Sequence, residues 1–219
     1  VTEQPWPALK HAEQLHAMTM MYNDPNSSLF HSQVLKEKIL LGLRFFYTKN
    51  PQCTHWHSYL VLMPADWQAT LLLMKTGDEF GFPQDTLNKY ADFTSYHSEL
   101  QAAGREFTGA NVIYVTQPSL YKACITGNLV EVEKSFNDLQ NLIRISSGID
   151  EGIKVDNSYH KHEEQIYFNG YGHKYLKAGA FFLNLASATP YGYSSDKVEI
   201  LTNLLLDGFQ WFEIGRAHV

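Results

Sequence analysis

The stretch from Asp156 to Gly172, reading DNSYHKHEEQIYFNGYG, holds most of the residues in this chain that could do chemistry. His160 and His162 stand two apart, so on an extended strand they share one face and could hold a metal. Zinc needs at least one further protein ligand. None stands at a clear spacing, and Glu163 and Glu164 read as solvated, so no metal and no cofactor is expected. A nucleophilic triad would need a Ser or Cys on a sharp glycine turn, and no G-x-S-x-G occurs. Two carboxylates facing each other across a cleft would suit glycoside hydrolysis, but Asp156 and Glu164 lie on one loop. The remaining chemistry is an acid/base pair of His162 with Tyr171. A hydrogen-bonded loop histidine with no chemical task fits His162 equally well at this point.

The elements that would position these groups read as helices almost throughout. Apolar residues at helical spacing, closed by Gly, Asn or Pro, predict helices over 8–22, 32–48, 65–75, 85–103, 111–126, 129–145, 171–188 and 194–206. Asn50-Pro51 breaks the second, and Ser194 or Ser195 caps the last. Two segments do not read as helices. Residues 53–64 form an aromatic and β-branched linker, and 148–170 form a long polar loop, of the kind that usually carries function. Paired helices with Gly/Pro joints imply an all-α fold of stacked helical hairpins, either a bundle or a toroid of α/α pairs.

Composition narrows the partners. A net charge of −6 without like-charge runs argues against nucleic-acid binding, which needs a basic surface. No stretch reaches the roughly 20 apolar residues of a membrane span. Aromatic residues make up 14% of the chain, enough for either a large aromatic core or rings that stack on sugars. Two cysteines, Cys53 and Cys124, exclude a disulfide scaffold. No signal peptide stands in the sequence, and a chain that starts at Val1 rather than Met leaves room for one upstream. Residues 213–219, EIGRAHV, read as the translation of a sequencing adapter, with natural sequence ending near Phe212.

Three blocks together resemble polysaccharide lyase family 8, which includes the hyaluronate, chondroitin AC and xanthan lyases. The first is D-x-S-Y-x-x-H, here Asp156 to His162, followed nine residues after the histidine by Tyr171-Gly172. The second is Thr108-Gly109-Ala110-Asn111 upstream, before a helix ending ACITG at 123–127. The third is MYNDPNSS at 21–28 with HWHSYLVLMP at 55–64. LDGFQW at 206–211 is similar to the family's approach to its catalytic arginines. The likeness runs from about Met21 to Trp211. It implies an incomplete α/α toroid over residues 1–212, a secreted or periplasmic monomer, and an acidic polysaccharide as partner. In the family, the catalytic arginines and a large β-sandwich region lie beyond the span matched here.

The resemblance also assigns roles. β-Elimination removes the C5 proton of a uronate and expels the oxygen linked to C4. A neutral donor on the carboxylate stabilises the charge that develops there. Asn111 takes that task, although an Asn at a helix start is most often a cap. Tyr171 protonates the leaving oxygen and also takes the C5 proton, with His162 assisting or sharing the base role. Trp56 and His57 belong to an aromatic patch that grips the glycan, and Gln165 fits chondroitin-type loops. The family's Asn-Trp-Trp is here His55-Trp56-His57, and Leu60 and Leu62 replace an acidic residue and a glycine. The alternatives are a non-catalytic glycan-binding helical module, and a toroidal glycoside hydrolase.

Overall fold

Ile39, Leu43 and Phe46 fall on one face of helix α2 (Gln33–Lys49), and all three are buried. That spacing is the helical repeat of a half-buried helix. The Ser32 side chain accepts from the Leu35 N–H at 3.4 Å and caps its start. Asn50 ends it in the left-handed conformation (φ 41°), donating its N–H to the Phe46 carbonyl at 3.0 Å.

The structure, a computed structural model, describes residues 7–52, 55, 57–76, 82–94 and 108–212. Contacts group the chain into two compact units. The first is Val1–Arg105 with Gln117–Val132, and the second is Glu106–Thr116 with Glu133–Val219. Among the described residues no helix is long and apolar enough to cross a membrane.

In the first unit, α1 (Pro7–Asn23) and α2 pack with α3 (Met63–Thr76), α4 (Gln84–Asp92) and the later residues of α5 (Ala110–Thr126). Trp67 is fully buried, donates its indole N–H to the Tyr90 carbonyl at 2.8 Å and lies 5.1 Å from the Phe46 ring. A Cβ on Gly42 would come 2.6 Å from the end of the Leu15 side chain, so a larger residue there would make Leu15 move. Lys75 donates to the carbonyls of Cys124 (3.1 Å) and Ile125 (2.5 Å), which satisfies the open carbonyls at the end of α5. Tyr22, Phe46, Trp67 and Tyr90 are thus core rings of this unit.

One expectation fails here. Residues 53–64 were expected as a linker, but Ser58–Leu62 form a π-helical turn that runs into α3. The run SYLVL has Ser58 and Val61 buried and the residues between them half-buried, so it lacks the polar face that marks a surface helix. The helix expected over 85–103 is seen as Gln84–Asp92; Phe93 and Thr94 form a turn after it, and residues 95–103 lie outside the described residues, as do Cys53, Thr54 and Trp56.

The second unit corrects the other non-helical segment. The expected loop over 148–170 contains a three-stranded antiparallel sheet in the order β1 (Gly152–Ile153), β2 (Tyr159–Lys161), β3 (Gln165–Ile166). Strands of two or three residues are too short to show alternation in the sequence. The sheet is followed by a π-helical turn, Phe168–Gly172, and by α7 (His173–Ala186). α8 (Ser195–Asn203) then continues through a second π-helical turn, Leu204–Phe209, to Phe212. Ser194 occupies the N-cap position of α8, and its side chain makes no capping bond to a backbone N–H of the helix. α6 (Leu129–Leu142) supplies its Leu142 carbonyl to the hydroxyl of Tyr175 at 2.8 Å. The sheet is a local insertion, and the fold is all-α. Residues 213–219 lie outside the described residues.

Candidate active site

His162 stands at the turn between β2 and β3, just past Lys161, which pairs with Gln165 across the strands. His162 (φ 55°) and Glu163 (φ 69°) both occupy the left-handed region. Residues with side chains are uncommon there, and His is among those enriched. The His162 ring is exposed, and its backbone N–H donates to Oε1 of Glu151 at 3.0 Å.

Tyr171 lies in the turn that follows β3. That turn is not a regular helix: Asn169 is extended and Gly170 has φ 84°, ψ −94°. A Cβ on Gly170 would come 3.1 Å from the Tyr167 ring, and one on Gly172 would come 2.7 Å from the Tyr167 carbonyl oxygen. The two glycines allow the sharp reversal that returns Tyr171 towards the β2–β3 turn. There its ring meets the His162 ring edge to face, 5.6 Å between centroids and 88° between planes. Tyr167 completes the group, 6.2 Å from His162 and 5.4 Å from Tyr171.

Asn111 reaches the same unit through the first turn of α5. The helix begins at Ala110, so Asn111 sits one residue inside it and is not its cap, and its N–H donates to the Thr108 carbonyl at 3.2 Å. Tyr159, fully buried on β2, accepts from the Ala110 N–H at 3.2 Å. That N–H is one of the helix's opening donors, which have no partner inside the helix. Gly109 (φ 55°) is required twice over: the backbone is left-handed, and a Cβ would stand 2.6 Å from the Tyr159 hydroxyl. Burial pushes the Tyr159 phenol far up and keeps it neutral. Tyr114, one helical turn beyond Asn111, is raised to about 12 by burial, with the Tyr171 phenol adding to the shift.

The rest of the D-x-S-Y motif builds the turn that delivers Tyr159. Oδ1 of Asp156 accepts from the Ser158 N–H (3.0 Å) and hydroxyl (2.7 Å), and these bonds hold the Asp156 carboxyl below the usual range. Asp156 and Ser158 are thus committed to one another. A pocket of about 630 Å³ in this unit is lined by Thr108, Gly109, Val112, Arg144, Glu151 and His162, among others. Asn111 and Tyr171 are not among its lining residues.

Of the other expected site residues, Gln165 is exposed on β3. His57 is half-buried at the start of the Ser58–Leu62 turn in the first unit, its ring 6.4 Å from that of His55. Trp56 lies outside the described residues. Nδ1 of His160 is buried without a hydrogen-bond partner, and no group of three or more His, Cys, Asp or Glu among the described residues is placed to hold a metal ion. Sequence reasoning missed Glu151, Lys161 and Tyr167, which contact the β2–β3 turn or the rings beside it. Each is an ordinary residue type with no motif of its own.

With this geometry in hand, comparison with known proteins identifies the family. The sequence profile of the polysaccharide lyase family 8 N-terminal alpha-helical domain matches residues 3–213, and the chain belongs to that family. Chondroitinase-AC of Pedobacter heparinus is 21% identical over 208 residues, covering 93% of this chain and 28% of that protein. A solved chondroitinase AC lyase, known in oligosaccharide complexes, superposes with a TM-score of 0.82 at 20% identity, over 94% of this chain and 30% of that one. Paenibacillus xanthan lyase superposes with a TM-score of 0.76 at 19% identity, over 91% and 19%. The chain thus spans less than a third of the length of these relatives, and the fold is that of their helical part.

Proposed function

We propose that this chain is the proton-transferring helical part of a lyase that cleaves uronate-containing acidic polysaccharides by β-elimination, leaving a 4,5-unsaturated uronate. The observation that supports the reading is the edge-to-face contact of His162 and Tyr171 in a chain that belongs to this family. The Asn111 amide donates to the uronate carboxylate and stabilises the charge that grows there as the C5 proton leaves. Tyr171 takes that proton, with His162 assisting, and protonates the C4-linked oxygen as its bond to C4 breaks and the C4–C5 double bond forms. Trp56 and His57 contribute to gripping the glycan, and Gln165 contacts it beside the turn. The chain works outside the cytoplasm, in the periplasm or as a secreted monomer.

The test uses the complete reading frame that encodes these residues, assayed on hyaluronan, chondroitin and xanthan by the near-ultraviolet absorbance of the unsaturated product. Tyr171→Phe should remove product formation, a loss of at least about a hundredfold for a positioned acid/base group. Retained turnover would end the assignment. Residues 1–212 alone should give little or no turnover on the same substrates.

A further inference from the structure

Among the described residues of the second unit, Lys161 is the most buried charged side chain, 4% exposed, and the acidic partner that neutralises it is Glu151, 15% exposed. A buried pair of this kind is weak support for stability, because desolvation cancels most of the attraction. What is distinctive is where the remaining bonds go. Oε1 of Glu151 accepts from the His162 backbone N–H at 3.0 Å. Oε2 accepts from Lys161 Nζ and from the Thr108 hydroxyl. Lys161 Nζ also reaches Thr108 Oγ1 at 3.3 Å and lies 5.2 Å from the centre of the Tyr171 ring. One carboxylate therefore touches the turn that opens α5 before Asn111 and the turn that carries His162. Through Lys161 it also reaches the ring of Tyr171.

We infer that Glu151 and Lys161 are positioning residues, a partly buried clamp that fixes Asn111, His162 and Tyr171 relative to one another for proton transfer. The inference rests on the lyase reading. It gives a reason for the left-handed backbone at His162, since that conformation turns its N–H onto the carboxylate and leaves its imidazole outside. Burial tends to raise the Glu151 carboxyl, but the bonds from Lys161, Thr108 and His162 outweigh it and hold the group below the usual range, so the clamp stays charged at neutral pH. Both residues act through others: neither is assigned to touch substrate, and the groups they hold must be set to within about half an ångström to react well.

The test replaces the pair by apolar residues of similar length. In the complete protein, E151M/K161M should melt within a few degrees of wild type, because exchanging a buried ion pair for packed apolar side chains is often neutral. Its kcat should fall at least tenfold while KM on chondroitin changes less than threefold. Wild-type kcat in this folded variant would overturn the inference. A second measurement needs no turnover. In the 219-residue chain, the His162 amide proton should follow the Glu151 carboxyl titration by NMR, and in E151M/K161M it should lose that dependence together with the His162–Tyr171 ring contact. An unchanged His162 amide in the double variant would overturn the clamp by itself. Wild-type protein that makes no unsaturated product while the amide behaves as expected would instead overturn the lyase reading.

Discussion

The helical core around Trp67 and the segment from Glu151 to Gly172 are held by opposite means. The first relies on apolar contact: Trp67, Phe46, Leu43 and Leu71 are fully or almost fully buried. The second relies on direction. Tyr159 accepts from one N–H, Glu151 gathers three donors, and Asp156 takes two from Ser158. Apolar burial is non-directional and tolerates small shifts. Hydrogen bonds weaken steeply with angle. A scaffold can rest on the first, but groups that exchange protons need the second.

The contrast can be broken most strongly at Trp67. Trp67→Ala should cost about 3–5 kcal/mol through the cavity it leaves, read as a shift of the urea midpoint. A cost under about 1 kcal/mol would show that the first unit is not held by its apolar centre. Gly109→Ala should cost about 1–3 kcal/mol through the strained backbone and its collision with the Tyr159 hydroxyl. Adding Tyr159→Phe should return part of that loss, so the two changes should be non-additive in a double-mutant cycle. Full additivity would mean that the hydroxyl does not set the position of the turn.

Acid should act on the polar segment. The Glu151 carboxyl lies below its usual range in the folded chain, so it contributes stability above the unfolded-chain value, about 4.3. That stability is lost as pH falls through the folded value. Melting followed from neutral pH downwards should show a shallower acid decline in E151Q than in wild type, and an equal slope would remove Glu151 from the linkage. The smallest effect is expected at the cap of α2. Ser32→Ala should cost about 0.5–1 kcal/mol, measured by the same urea series, towards the lower figure because the bond is long at 3.4 Å.

The same contrast decides what could be read from the sequence. α2 was legible to within a residue because Ile39, Leu43 and Phe46 repeat at helical spacing between Ser32 and Asn50. The Ser58–Leu62 turn was not, since a run of apolar and aromatic residues carries no period. His162 and Tyr171 stood out by type and by the resemblance, and the structure places their rings together. The clamp was invisible. Glu151 and Lys161 are ten residues apart, Thr108 is 43 residues before Glu151, and the expected loop offered no reason to pair them. Glu151 stands just before β1 and Lys161 ends β2, strands only two and three residues long. Asn111 was read against a capping role, and the helix start at Ala110 moves that role off its side chain.

The short three-stranded sheet also bears on the order in which the chain folds. Its pairings join residues close in sequence, Gly152 with His160 and Lys161 with Gln165, and hairpins of this kind close within about 1–10 microseconds. Its bonds to Thr108 and Ala110 instead span 43 to 53 residues, and such non-local closure is slow. The hairpin is therefore expected to assemble first and to dock onto the start of α5 later. Docking inserts Tyr159 beneath Ala110 and joins Glu151 to Thr108 in one event. The chain would thus bring Asn111 beside the His162–Tyr171 segment at the end of folding, when the helices between the two have closed.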